Sequence, residues 1–391
     1  MTALLWGSEL SPFFLKVEAL CRHAGLPTER RPDGGSALEN LRLMTRLRIA
    51  QARRTIQRWP SSDPNDEYPL VPYLFTADGA IHYDSSGIAG WLDAEPPGDA
   101  EPLIPREPAL AFVCKLIEEA LDEVGLYLVH HHRWVVSRGD NDAGERLARE
   151  FRSLVPAILQ PLIANGFSRR QTRRLPYLFS VAPATKSWSP GRWPDPPSRP
   201  GFPATHRRLE DSWDELVDAA EQLLQQQPYL LGDRFTLADA ALHGQLGMNL
   251  SDPSSERRLR ERAPRLRGWL GAIAAGRHVG SRGELRLHPD LAPLLTWVQR
   301  DFIPLMRANA AAAASVPPRG SRNEAAFNRR RDLFEFAWRD APARMAVKRF
   351  QLRTWSELCE QARALSAQDV ALLPVASGTA WLPEWQTSSK A

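Results

Sequence analysis

The stretch ALLWGSELSP, residues 3–12, sets the reading of the whole chain. Ala3, Leu4, Leu5 and Trp6 form a short apolar run that stops at Gly7-Ser8-Glu9 and is followed by Ser11-Pro12, the pattern of a strand, a turn and a helix start. Pro12 at the first helical position needs no N–H partner. Ser11 is the predicted N-cap, with a hydroxyl able to take a bond from the orphan amides of the first turn. Phe14, Val17, Leu20 and Cys21 recur at spacings of three and four, so the helix runs to about Ala24, with Gly25 as its stop.

Downstream, Leu38, Leu41, Met44, Leu47 and Ile56 predict a second helix over residues 38–59, whose other face carries Arg42, Arg46, Arg48, Arg53, Arg54 and Arg58. Only Glu39 opposes these arginines, which reads as a solvated face or a surface for an anionic partner. PSSDPNDEYP, residues 60–69, is loop. Residues 70–75 and 81–83 read as strands joined by a turn at Asp78-Gly79, and a helix follows from Ser85 to Ala94. Pro72 lies inside the first of these strands, where it has no N–H for the ladder. It is either an edge-strand proline or the site of a cis Val71–Pro72 kink.

EPPGDAEPLIPREP, residues 95–108, is a linker, and it divides the chain into units 1–97 and 105–279, with a third part at 280–391. Leu110, Cys114, Ile117, Leu121, Val124, Leu128 and His131 make a helical seam of the packing kind. The run His130-His131-His132 invites a metal reading, but adjacent helical histidines diverge and no ligand follows at i+4, so no metal is expected. Residues 176–203 hold eight prolines and predict an irregular insertion. Thr236 and Asp239 form a capping box ahead of an apolar helix over about 237–248, the expected central helix of an all-helical unit. After residue 280, the stretches 288–309 and 345–365 read as helices joined through a mobile segment, and a frayed tail begins at about Ser377.

With 391 residues, 43% of them hydrophobic, the chain is long enough to bury at least one large core. A net charge of +4 at this length is too thin an excess to point to nucleic acid. Cys21, Cys114 and Cys359 form no CxxC pair, which excludes a disulfide framework or a cysteine-rich zinc site and fits a reducing compartment. No apolar run reaches the roughly 18 residues of a membrane span, and the first residues lack the basic and apolar regions of a secretory signal. A cytoplasmic location is expected.

Taken in order, the strand-turn-helix with Ser-Pro at the helix start, the Val-Pro strand, the Asp-Gly hairpin, the helix opening at Asp84-Ser85-Ser86 and the FTLADAAL box at 235–242 resemble the glutathione transferase superfamily over residues 1 to about 275. The resemblance implies an α/β thioredoxin-like N-terminal domain, then an all-α glutathione-transferase-type C-terminal domain, with an extra helical C-terminal extension beyond both. It implies glutathione as co-substrate, a small apolar electrophile as second substrate and a homodimer. In that family the residue matching Ser11 activates glutathione, Val71 pairs its backbone with the cysteinyl part, Pro72 is the cis-proline, and Asp84 and Ser85 grip the γ-glutamyl end. Ser85 also caps its helix there. The chemistry is sound, because a thiol of pKa near ~8.5 is mostly protonated at neutral pH, and a hydroxyl donor at a helix N-terminus stabilises the thiolate. No tyrosine precedes Tyr68 and no cysteine stands at the helix start, so the chain looks like a serine-type member.

The chain departs from the family at Glu67-Tyr68-Pro69-Leu70, where a basic residue often holds the glycyl carboxylate; Arg54 or Arg58 is the expected substitute. SPFFLKVEALCRHAGLP, residues 11–27, together with YDSS also resembles the metaxin and failed-axon-connections branch, in which the fold is kept without certain glutathione chemistry. A glutathione transferase is the leading expectation, with a pocket for the electrophile lined by Leu110, Cys114, Ile117 and Leu121. A non-catalytic binding or scaffold protein on the same fold is the alternative.

Overall fold

The computed structural model describes residues 2–58, 60, 71–316 and 332–374. The first elements are β1 (Ala3–Trp6), α1 (Pro12–His23), β2 (Thr28–Arg31), α2 (Ala37–Arg53), β3 (Tyr73–Phe75), β4 (Ile81–Tyr83) and α3 (Ser85–Ala94). The strands form one sheet in the order β2-β1-β3-β4, with β1 parallel to β2 and antiparallel to β3. Side chains alternate across it, as the twofold period of a strand requires. Leu5 and Leu74 face α1 and α3 among Phe14, Val17, Leu20, Ile88 and Leu92. Trp6, Tyr73, Phe75 and Ile81 face the other way, onto Leu43, Leu47 and Ala50 of α2. This βαβαββα unit is thioredoxin-like.

Helix α2 ends at Arg53 rather than at residue 59. Arg54 adopts the left-handed conformation at φ 55°, and its N–H bonds back to Ala50 and Gln51, closing the helix without the glycine that would have announced the stop. Residues 55–58 then run extended, with Gln57 bridged to His82. The inward face of α2 is also not the expected one: Asn40, Leu43, Leu47 and Ala50 are buried, whereas Leu38 and Leu41 are exposed.

The second half begins with α4 (Pro108–Ala120), which continues through a π-helical turn (Leu121–Gly125) into α5 (Leu126–His131) and a second π turn (His132–Val136). There follow α6 (Ala143–Glu150), α7 (Gln160–Arg174), α8 (His206–Gln226), α9 (Leu237–Asn249), α10 (Pro253–Arg262) and α11 (Pro264–Ala274). Residues 175–204 carry no helix or strand, yet they are anchored: Trp193 is buried and donates its indole N–H to Asn141 Oδ1 at 2.9 Å. Helix α9 is the central one, buried along nearly its whole length behind its Thr236–Asp239 capping box.

Helix α9 crosses α1 at Gly244, where a Cβ would lie 2.6 Å from the Pro12 carbonyl oxygen and 2.8 Å from Lys16 Cβ. Gly244→Val is therefore expected to force the two halves of the molecule apart and to cost about 1–3 kcal/mol of stability. The drop in urea midpoint relative to wild type checks this.

The extension is only partly helical. After α12 (Ala292–Trp297) and α13 (Ile303–Ala314) comes an antiparallel hairpin, β5 (Leu333–Trp338) and β6 (Ala341–Ala346), and only then α14 (Phe350–Ala364) and α15 (Ala367–Leu372). The hairpin is locked down by Trp338, fully buried, whose indole N–H donates to the Asp301 carbonyl at 3.2 Å, and by Arg339, which pairs with Asp301 at 2.6 Å and with Glu215 at 2.9 Å. The expected tail from Ser377 lies outside the described residues. No helix among the described residues is long and apolar enough to cross a membrane.

Candidate functional site

One cavity of about 390 Å³ opens where the turn after β1, the start of α3, the α4–α5 helix, α7 and α14 meet. Ser11, Val71, Pro72, Asp84 and Ser85 all line it, although they come from three separate segments.

Ser11 sits at the N-cap of α1 in extended conformation, but its side chain does not cap. Its backbone N–H donates to the Ser8 carbonyl at 2.9 Å, while its hydroxyl makes no hydrogen bond among the described residues. A helix start with an uncommitted hydroxyl is suited to an anion, because the first-turn amides and the helix dipole favour negative charge there. The Val71–Pro72 peptide is cis.

Asp84, rather than Ser85, caps α3. Its carboxylate accepts from the Ser86 N–H at 3.2 Å, and Ser85 is the first helical residue. Asp84 holds φ +66°, a region that side-chain-bearing residues rarely adopt and that persists only where the surroundings enforce it. Two contacts do so here, the Ser86 amide and the guanidinium of Arg58, which is buried and ion-paired with Asp84. Of the two arginines considered for the missing basic residue, Arg58 lines this cavity, while Arg54 lines a separate depression with His82 and Trp91.

Behind Ser85 lies a buried charged layer that the sequence reading did not identify. Lys16, on the inner face of α1, is 1% exposed and donates to Glu118 at 2.6 Å, to Asp122 at 2.5 Å and to Ser85 Oγ at 3.5 Å. Ser86 donates to Glu118 at 2.5 Å, and Lys115 reaches Glu118 at 2.5 Å. Burial alone would raise the Glu118 carboxyl, but Lys115 and Lys16 outweigh it and hold it down at about 2. Burial wins at Asp122, pushed up to about 6, and at Glu123, pushed up to about 7. Glu119 is raised by burial and by the neighbouring Glu118 charge. The π-helical turn carries Asp122 and Glu123; its extra residue re-aims the helix surface, and both side chains line the cavity.

Glu123 accepts a hydrogen bond from Gln351 of α14. A carboxyl whose folded pKa is raised binds a proton that the unfolded chain releases earlier, so stability falls as pH rises from about 4.5 to about 7. Glu123→Gln, which keeps an acceptor for Gln351, is expected to be more stable than wild type at pH 8 by about 1–3 kcal/mol and so to unfold at a higher temperature. The advantage should vanish near pH 4, which thermal melts at the two pH values check.

Leu110, Cys114, Ile117 and Leu121 do not line the cavity; they are core on the opposite side of the helix. The cavity instead sees Glu119, Asp122, Glu123, Leu126 and His130. His130 is pushed down to about 3 by burial and by Arg174 and Arg133, and so is neutral. The three adjacent histidines do diverge, since His131 bonds Ser180 and His132 stacks on Trp213. Among the described residues, no group of three or more His, Cys, Asp or Glu side chains is placed to hold a metal ion.

The extension supplies the remaining wall through Val347, Lys348, Phe350, Arg353 and Thr354. Lys348 is fixed by reciprocal bonds with Asn309, its N–H donating at 2.9 Å and its carbonyl accepting at 2.8 Å, and its ammonium lies over the Tyr127 ring. Of the proline-rich stretch 176–203, only Leu178 reaches the cavity.

Residues 203–272 match the family model described as Glutathione S-transferase, C-terminal domain. Among curated proteins none matches the sequence. Among solved structures, the β-etherase LigF from Sphingobium is 19% identical over 70% of this chain and 96% of its own, with a TM-score of 0.42. The glutathione S-transferase of Ceriporiopsis subvermispora in complex with glutathione is 13% identical over 71% and 98%, with a TM-score of 0.44. A glutathione S-transferase from Methylobacterium radiotolerans in complex with glutathione sulfonate is 18% identical over 74% and 100%, with a TM-score of 0.33. A thioredoxin-like unit followed by a helical unit that carries this C-terminal pattern is the two-part fold of the glutathione S-transferase superfamily.

Proposed function

We propose that this protein binds reduced glutathione and transfers it to a small electrophile as a serine-type glutathione transferase. One observation carries the reading: Ser11 with a free hydroxyl at a helix start, Val71 beside cis-Pro72, and Asp84-Ser85 at a second helix start converge on one cavity. In this reading the α-ammonium of the γ-glutamyl end meets the Asp84 carboxylate, and its carboxylate meets the N-terminus of α3 and Arg58. The backbone of Val71 pairs with the cysteinyl residue. The thiol proton passes to solvent as the Ser11 hydroxyl donates to the sulfur, the thiolate attacks an electrophilic carbon, the leaving group departs with the electron pair, and Ser11 never becomes covalent.

The second-substrate side of the cavity is not purely apolar. Phe13, Leu126, Phe167 and Phe350 share it with Glu119, Glu123 and Lys348, which suits an electrophile bearing both a flat apolar body and a polar group. The units 1–97, 105–279 and 280–391 divide the work in this proposal: glutathione, fold core with part of the second pocket, and the closing wall. A cytoplasmic homodimer remains part of the proposal.

Titrating the thiol of bound glutathione by ultraviolet difference absorbance tests the reading. A pKa depressed below the free value of about 8.5 is expected in wild type, and Ser11→Ala should raise it by about one to two units, the worth of one hydrogen bond to a charged group. An unshifted thiol in wild type contradicts the proposal.

The Arg58–Asp84 pair favours a second reading. Arg58 stands against the carboxylate that would receive the ammonium, so a chain in which that pair never opens is a scaffold on the same fold.

A further inference from the structure

Helix α2 presents an apolar stripe outward. At about 100° per residue, Leu38, Leu41, Thr45 and Ile49 fall within an arc of about 80°, opposite the buried Asn40, Leu43, Leu47 and Ala50. Leu38, Leu41 and Ile49 are 55%, 48% and 47% exposed. Arginines flank the stripe on both sides, Arg48 along one edge and Arg42 and Arg53 along the other. Arg48, Arg53 and Arg54 form no ion pair with any described residue, and the one acid of the helix, Glu39, is committed to the capping box with Ser36.

A second segment, which meets α2 on its buried side, also carries exposed apolar residues. Ser153 accepts a hydrogen bond from Asn40 of α2 at 2.9 Å, and Phe151 and Leu154 pack against the cluster under α2. Just beyond, Ile158 is 84% and Leu162 67% exposed, and the rest of α7 carries arginines and no acid. Seven of the nine large apolar side chains exposed among the described residues lie on these two segments. Such a concentration marks an interaction surface rather than scattered surface apolarity.

We propose that the outward face of α2 forms a peripheral docking surface for an anionic lipid bilayer, Leu38, Leu41 and Ile49 entering the headgroup–acyl boundary and the flanking arginines meeting the anionic headgroups. Charge complementarity selects this occupant. An isologous contact with a second copy would set arginine-rich edges against each other with no acid to oppose them, whereas an anionic leaflet supplies the counter-charge along the whole stripe. The surface is separate from the cavity and does not depend on the transferase reading.

Co-sedimentation of the full chain with vesicles of phosphatidylcholine alone, and of phosphatidylcholine mixed with phosphatidylserine, tests the proposal. Partition onto the anionic vesicles only is expected, weakening with salt. Arg48→Ala and Arg53→Ala should each lower it about fivefold, and the pair Leu38→Ser, Leu41→Ser about tenfold or more, with unchanged circular dichroism since all four positions are exposed. Equal partition onto both vesicle types, no partition of the full chain onto either, or a dimer in sedimentation equilibrium that the leucine substitutions dissolve would each overturn it.

Discussion

Lys16→Met is expected to lower the unfolding free energy by about 3–5 kcal/mol, the range for breaking a buried ion pair from one side. Methionine fills the space of the lysine stem but leaves Asp122 with only Gln245 and deprives Glu118 of one of its two lysines. Two carboxylates would then share a buried layer with Lys115 as the nearby cation, and the cheapest response is to protonate Asp122. Losing Lys16 raises Asp122 above its value of about 6, so the deficit should shrink as pH falls towards about 6 and level off below it. Equilibrium urea unfolding at pH 8 and pH 5 measures both parts. Adding Asp122→Asn to Lys16→Met removes the orphaned charge while Glu118 keeps Lys115, and should recover most of the loss. A deficit under about 1 kcal/mol for the single variant would mean that water solvates the layer. The consequence reaches the site, since Lys16 also touches Ser85 and so adds a polar link to the apolar packing between α1 and α3.

Asp84→Asn is expected to weaken glutathione binding by about thirtyfold or more, corresponding to roughly 2 kcal/mol for truncating one partner of a close charged pair. Asparagine is the informative substitution. It tolerates the positive φ that alanine would resist and keeps an oxygen for the Ser86 N–H, so only the charge is removed. A variant that binds as tightly as wild type would show that the Asp84 charge plays no part in recognition.

The sheet and the central helix were legible in the sequence because local signals coincided with tertiary positions; Ser11, Val71, Pro72, Asp84 and Ser85 were singled out by the family resemblance, and their glutathione-side roles belong to the proposal. Pro12 and Pro72 can stand in few places, Asp78-Gly79 marks a hairpin, and Thr236 with Asp239 reads directly as a cap. The end of α2 was not legible, because the left-handed residue that stops it is Arg54 and not glycine. The hairpin of the extension was hidden for the same reason: its turn residues Arg339 and Asp340 both have positive φ, at 50° and 57°, where asparagine-glycine is the usual signature. Arg339 is held there by ion pairs to Asp301 and Glu215, partners distant in sequence.

The cavity wall was misread because the apolar seam from Leu110 to His131 is the loudest pattern on its helix. The quieter signal was the four carboxylates inside LIEEALDEVG, residues 116–125, which cannot be buried without cations brought by other elements. One of those cations, Lys16, sits between Leu15 and Val17 and one turn before Leu20, a placement on the apolar face of α1 that marks it as a buried lysine.

Calorimetric titration of the purified full chain with reduced glutathione tests the central claim most directly. Saturable binding in wild type, weakened about thirtyfold or more in Asp84→Asn, is the predicted result. No detectable heat at millimolar glutathione would contradict the account and leave the Arg58–Asp84 pair as a permanent closure of the site.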